Sequence, residues 1–180
     1  MQDLSLHLLD IAENSVRAQA KKITIELDEK VSDNILCLKI SDNGKGMTQQ
    51  MVQNVVDPFV TTRTTRRVGL GIPLLNQNCI NASGSLAINS ILGEGTTVQA
   101  VMQYDHIDRL PLGDIASSLI ILIQGNPHIN FIYKHIYETK TFLFDTLEIK
   151  KLLGEVTIDT PEIIQWLKKY IRENIDDLYI

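Results

Sequence analysis

Apolar residues recur along this chain at two spacings, and the switches between them divide it into elements. Over residues 3–20, Leu4, Leu8, Ile11, Ser15 and Ala18 fall at helical spacing and form one packing stripe. Asp3, His7, Asp10, Asn14 and Arg17 follow the same spacing as a second stripe, with Leu6, Leu9 and Val16 on its far side. A polar stripe with apolar surface on both flanks predicts a helix whose polar edge lines a pocket. The alternative is an ordinary amphipathic helix with its charges in water. Residues 23–27 and 35–40 alternate as strands around a polar turn, 72–82 reads as an apolar helix, and 85–91 and 97–104 read as strands. Beyond a linker, the pattern predicts an apolar helix at 113–124, a hairpin of 129–135 with 139–144, and a short helix over 145–154 with a capping start. Thr160-Pro161-Glu162 then opens a last helix, in which Trp166 is assigned to the core.

Composition narrows the class without naming a function. The chain has 180 residues and a net charge of −5, and no basic block suggests a nucleic-acid partner. The acidity is uneven. Residues 1–104 hold nine Lys/Arg against ten Asp/Glu, and residues 105–180 hold eight against twelve. That excess hints at a protein partner, though a solvated surface explains it equally well. Cys37 and Cys79 sit among aliphatic residues and read as core thiols in a reducing compartment. The longest apolar run, 115–123, is short of the roughly 20 residues of a membrane span, and no signal peptide is visible. A cytoplasmic protein without membrane contact is expected.

Candidate chemistry gathers at four places. Asp42-Asn43-Gly44-Lys45-Gly46-Met47 ends a strand in an acid and breaks into Gly-x-Gly, where a ligand can lie against the backbone. Asp10 and Asn14 are neighbours on the polar edge of the first helix, a carboxylate beside a carboxamide that suits a hydrated hard cation such as Mg²⁺. Asp57-Pro58-Phe59-Val60-Thr61-Thr62 leads through Arg63, Arg66 and Arg67 to Gly69-Leu70-Gly71 at a helix start. Glycines and cations there suit an anion, although the arginines could equally be a solvated cluster. Gly93-Glu94-Gly95-Thr96 is a tight turn between two strands.

Taken in order, Asp10-x-x-x-Asn14, Asp42-x-Gly-x-Gly46, Asp57-Pro-Phe59 with Gly69-Leu-Gly71, and Gly93-x-Gly-Thr96 resemble the ATPase domain of the gyrase, heat-shock chaperone, histidine kinase and mismatch-repair superfamily. The likeness is greatest to histidine kinases. It implies an α/β (α+β) two-layer sandwich, the Bergerat-type ATP-binding fold, over residues 1–104. The pattern beyond it adds a small α+β module over 105–180, expected as a partner-binding or regulatory domain. The resemblance also implies ATP and Mg²⁺ as cofactors. Asp42 would accept from the adenine amino group, and Gly44 and Gly46 would let the backbone approach the base. Asn14 would hold the metal, Thr96 would back up Asp42, and Gly69 and Gly71 would give phosphate-binding amides. Arg17, Met47, Phe59, Thr61, Thr62, Arg66, Arg67 and Leu70 complete the expected nucleotide contacts, and Asp10 stands where superfamily members that hydrolyse ATP carry a general base. Two departures stand out. Arg67 replaces a glycine of the usual lid, and the phosphoacceptor helix pair that usually precedes the domain is expected to be absent. His106-Ile-Asp-Arg109-Leu-Pro111-Leu112 resembles a phosphoacceptor box at four positions, but on the wrong side of the domain, and reads as a linker. The resemblance leaves open three activities: a kinase acting on a partner protein in trans, a slow ATPase switch, or a nucleotide sensor without chemistry.

Overall fold

The computed structural model describes residues 2–55 and 70–180. Helix α1 (Leu4–Arg17) is followed by β1 (Lys22–Lys30), β2 (Ile35–Asp42), α2 (Gln49–Val55), α3 (Gly71–Asn81), β3 (Ser85–Ile91) and β4 (Gly95–Gln103). The chain continues through α4 (Ile115–Gly125), β5 (Asn130–Tyr137), β6 (Lys140–Asp145), α5 (Thr146–Leu153) and α6 (Pro161–Asp177). The six strands form one sheet in the order β3-β4-β2-β1-β5-β6. Every neighbouring pair is antiparallel except β1 with β5.

Alternation along each strand creates the two layers. Ile23, Ile25 and Leu27 of β1, Leu36, Leu38 and Ile40 of β2, and Val98, Ala100 and Met102 of β4 point to one face and are buried there. The register brings Ile25 opposite Ile40 and Ile40 opposite Val98, so a single apolar surface runs across the strands. Against it pack Leu4, Leu8 and Ile11 of α1, Leu75 and Cys79 of α3, and Leu119 and Ile123 of α4. Each fully buried Leu or Ile contributes about 1.5–3 kcal/mol of transfer free energy, so this face is what holds the sandwich together. The opposite face carries half-buried Thr24, Glu26, Lys39 and Gln99.

Residues 105–180 join the same layers. Tyr133 of β5 stands beside Ile25 of β1 in the parallel register, and α4 packs against α1. The preceding linker also completes α1. The backbone N–H groups of Leu4 and Ser5 donate to the carbonyls of Pro111 (2.9 Å) and Leu112 (2.8 Å), while the Asp3 side chain accepts from Leu6 N at 3.0 Å. Three of the donors left over at a helix start are thereby satisfied. The expected boundary at 104/105 is thus a change along the sequence that leaves the sheet uninterrupted.

Two local expectations differ from the structure, and one helix is not expected from the sequence. The first helix ends at Arg17 instead of 20, because Gln19 takes φ 60° and the chain turns into β1. Helix α2 has no buried residue and no apolar periodicity to announce it. Trp166 is 49% exposed and stacks on Tyr170 at 5.2 Å, outside the core. Among the described residues no helix is long and apolar enough to cross a membrane.

Candidate functional site

A cleft of about 370 Å³ opens where the C-terminal half of α1 meets the ends of β2 and β4. Its walls include Asn14, Ser15 and Arg17 from α1, Asp42 and Gly46 from the corner after β2, Met47, Met51 of α2, and Thr96 of β4. Ile11, Ile40, Ile72 and Val98 supply an apolar floor. This is the shape of a ligand site, mostly apolar with a few convergent polar groups.

Asp42 is the fixed point. It ends β2 and is paired with Thr96 in the ladder. Its Oδ2 accepts from Ser15 Oγ at 2.6 Å and its Oδ1 from Gly44 N at 2.8 Å. Two donors from different elements hold the carboxylate plane against the cleft and leave lone pairs facing it. The glycine corner allows this approach. Gly46 takes φ +65°, and a Cβ there would collide with the Ile91 carbonyl. Behind Thr96, Ser90 Oγ lies 2.8 Å from Thr96 Oγ1 and accepts from Met47 N at 2.8 Å, tying the two turns together.

Across the cleft, Asn14 Oδ1 accepts from Arg17 Nη1 at 3.2 Å, and Arg17 also pairs with Glu13 at 3.2 Å. The rest of the predicted polar edge divides. Asp3 caps the helix and His7 is buried against Asn78 of α3 at 2.7 Å. Asp10 leans on Gly71, the first residue of α3, where a Cβ would collide with Asp10 Oδ2. That oxygen is buried and has no partner among the described residues. The stripe therefore lines the cleft only in its last turn; Asp3 caps the helix, and His7 and Asp10 fasten α1 to α3.

The structure brings Asn14, Arg17, Asp42, Gly46, Met47 and Thr96 around one cavity, with Gly44 donating to Asp42 from behind it. Asp10 and Gly71 meet beside it, and Leu70 is exposed next to them. Asp57, Phe59, Thr61, Thr62, Arg66, Arg67 and Gly69 lie outside the described residues. Sequence reasoning missed Ser15, which had been placed on the packing stripe, and Lys45, which lines the cleft. A hydroxyl on an otherwise apolar stripe, one residue from Asn14, was the available signal for Ser15. His106 follows the far end of β4, about 23 Å from Thr96 at roughly 3.3 Å per residue. Its Nδ1 accepts from Asp108 N at 3.1 Å, which suits a linker turn.

The model of the histidine kinase-, DNA gyrase B-, and HSP90-like ATPase family matches residues 2–106. The chain belongs to that family. It is 31% identical over 93 residues to sporulation kinase D of Bacillus subtilis, covering 51% of this chain and 18% of that protein. It is 33% identical over 97 residues to signal transduction histidine-protein kinase AtoS of Escherichia coli, covering 53% and 16%. The chain thus spans about a fifth or less of the length of these relatives. Among solved structures, the Aquifex aeolicus MutL ATPase domain complexed with ADP superposes with a TM-score of 0.50 at 15% identity, over 79% of this chain and 64% of that one. That likeness is one of fold, a mixed α/β ATPase domain. The family supports ATP binding of the histidine-kinase type.

Proposed function

We propose that the chain binds Mg·ATP in the cleft below Asp42 and passes the γ-phosphoryl group to, or regulates, a partner protein in trans. The observation that carries this reading is the geometry of Asp42, a carboxylate held by Ser15 and Gly44 at one wall of a cavity whose other wall is Asn14. The adenine 6-amino group would donate to Asp42. Guanine presents a carbonyl at that position and would set an acceptor against a carboxylate. A hydrogen bond to a charged group is worth about 1.5–3 kcal/mol, or about 10- to 100-fold in affinity.

Magnesium fits the residues present. Among the described residues no group of three or more His, Cys, Asp or Glu gathers to hold a metal by itself. Mg²⁺ needs only one or two protein oxygens when phosphates and waters supply the rest. Asn14 Oδ1 is such an oxygen, and its present partner, Arg17, is an exposed side chain free to turn toward phosphate. When bound, the ion would neutralise charge on the phosphates. Asp10 would take the proton of the attacking hydroxyl as its oxygen bonds the γ-phosphorus, while the bond to the bridging oxygen breaks and ADP leaves.

A second reading, hydrolysis with water as the acceptor, is favoured by the burial of Asp10 Oδ2 against Gly71, where room is small. Residues 105–180, with their acidic excess, would serve as the partner-binding or regulatory part. Calorimetry with Mg·ATP and Mg·GTP tests the proposal. Binding of ATP at least 10-fold tighter than GTP is expected, and no heat with either nucleotide would overturn it.

A further inference from the structure

His7 takes no part in the cleft, yet it is fully buried. Its Nε2 lies 2.7 Å from Nδ2 of Asn78. An amide nitrogen only donates, so Nε2 accepts and a neutral ring carries its proton on Nδ1. Burial holds the imidazole pKa below its usual value, with the nearby carboxylates of Asp10 and Asp3 opposing that fall, so the neutral ring is the favoured form. The resulting Nδ1–H is itself buried and unpartnered among the described residues, and so is Oδ2 of Asp10.

A donor and an acceptor without partners therefore sit three residues apart on one edge of α1. Side chains of a helix lean toward its N-terminus, which aims Asp10 back over the turn that carries His7. A buried polar atom left unpaired loses about what a hydrogen bond gives; the two atoms are not within hydrogen-bond distance of each other, so a single water bridging them settles both. Gly71 leaves the space for the carboxylate, and Asn78 fixes the ring from the other end of the same helix.

We propose that His7 is a positioning residue for Asp10: its Nδ1–H holds Asp10 Oδ2 through one bridging water and leaves the other carboxylate oxygen to receive the proton of the phosphoryl acceptor. The inference rests on the reading of Asp10 as the base, and it assigns the histidine a role in rate and not in nucleotide affinity. His7 keeps its own proton throughout. The proton from the acceptor stays on Asp10 until it leaves to solvent.

Two arms test it on the full chain. In nitrogen-15 NMR of the histidine-labelled protein, His7 is expected as the Nδ1–H tautomer, and Asp10→Ala is expected to speed exchange of that proton at least 10-fold. In kinetics, His7→Leu is expected to lower kcat for ATP turnover about 10-fold with KM and the ATP Kd within twofold. His7→Gln, whose amide can donate in place of Nδ1–H, should recover to within about threefold. His7→Leu should add nothing in an Asp10→Ala background. An Nε2–H tautomer, exchange unaffected by Asp10, or a loss that falls on Kd instead of kcat would overturn the proposal. A wild-type chain that binds ATP without turnover removes the role of Asp10 as base. The NMR arm then decides by itself whether the pair exists. Should His7→Leu fail to fold, His7→Gln and the wild-type tautomer still decide.

Discussion

Two carboxylates on the same face of the β1–β2 hairpin, about 20 Å apart by strand rise, have opposite fates. Glu29, near the end of β1, is 2% exposed and its valence is completed inside the protein. His135 Nε2 donates to its Oε1 at 2.7 Å and the Tyr179 hydroxyl donates to the same oxygen, while Tyr133 OH lies 2.8 Å from His135 Nδ1. Asp42, at the end of β2, has two protein donors and stands open to the cleft. A second cavity of about 400 Å³ touches His135 and Tyr179, beside Asp114 and Arg172, yet among the described residues none of the buried side-chain polar atoms without a partner lies in its lining. Both acids are held by protein donors, so what separates the structural acid from the binding acid is that Glu29 is sealed from solvent while Asp42 opens onto a cavity.

The largest effect that would test this contrast is loss of the buried acid. Glu29→Leu removes the acceptor shared by His135 and Tyr179, and breaking a buried pair costs about 3–5 kcal/mol. Urea unfolding should show that loss, while the folded fraction keeps its ATP affinity. The same residue sets an acid limb. Burial raises the Glu29 pKa, but hydrogen bonds from His135, Tyr179 and Tyr104 outweigh it, so the folded value lies below the ordinary 4.5. A depressed carboxylate contributes stability that is complete above the unfolded value and drains as pH falls through the folded one. Below pH 4.5 the wild type should therefore lose stability more steeply than Glu29→Gln.

At the open acid the signs reverse. Asp42→Asn should weaken ATP binding about 10- to 100-fold and change stability by less than about 1 kcal/mol, readable by calorimetry beside thermal unfolding. Ser15→Ala removes one donor to Asp42 and should weaken ATP binding about fivefold to 10-fold, equivalent to roughly 1 kcal/mol. At the bottom of the scale, Lys169 and Glu173 meet at 3.7 Å in solvent on α6. Lys169→Ala should shift stability by less than about 0.5 kcal/mol and leave nucleotide binding alone.

How much of this was legible follows from where the information sits. Strands β1, β2 and β4 and helices α1, α3 and α4 announce themselves because period-2 and period-3.6 apolar spacing is a local property. The glycine corner was legible for the same reason, since Gly46 answers a backbone need at its own position. Pairing of β5 beside β1 was not, because a parallel neighbour more than 100 residues away leaves no mark in either strand. Ser15 was hidden by its apolar stripe, and its role appears only once Asp42 is brought to 2.6 Å. His7 was misread in the opposite sense, as lining a pocket, because spacing gives the edge of a helix and not what each part of that edge touches.

The account turns on one contact, from the purine 6-amino group to the carboxylate that ends β2. Its most direct test compares the affinities of ATP and of purine riboside triphosphate, which lacks that group, for the wild type and for Asp42→Asn. The wild type should prefer ATP by about 10-fold or more, and Asp42→Asn should lose that preference while binding the purine analogue as before. Equal affinities in the wild type, or an equal loss of both ligands in the variant, would contradict it.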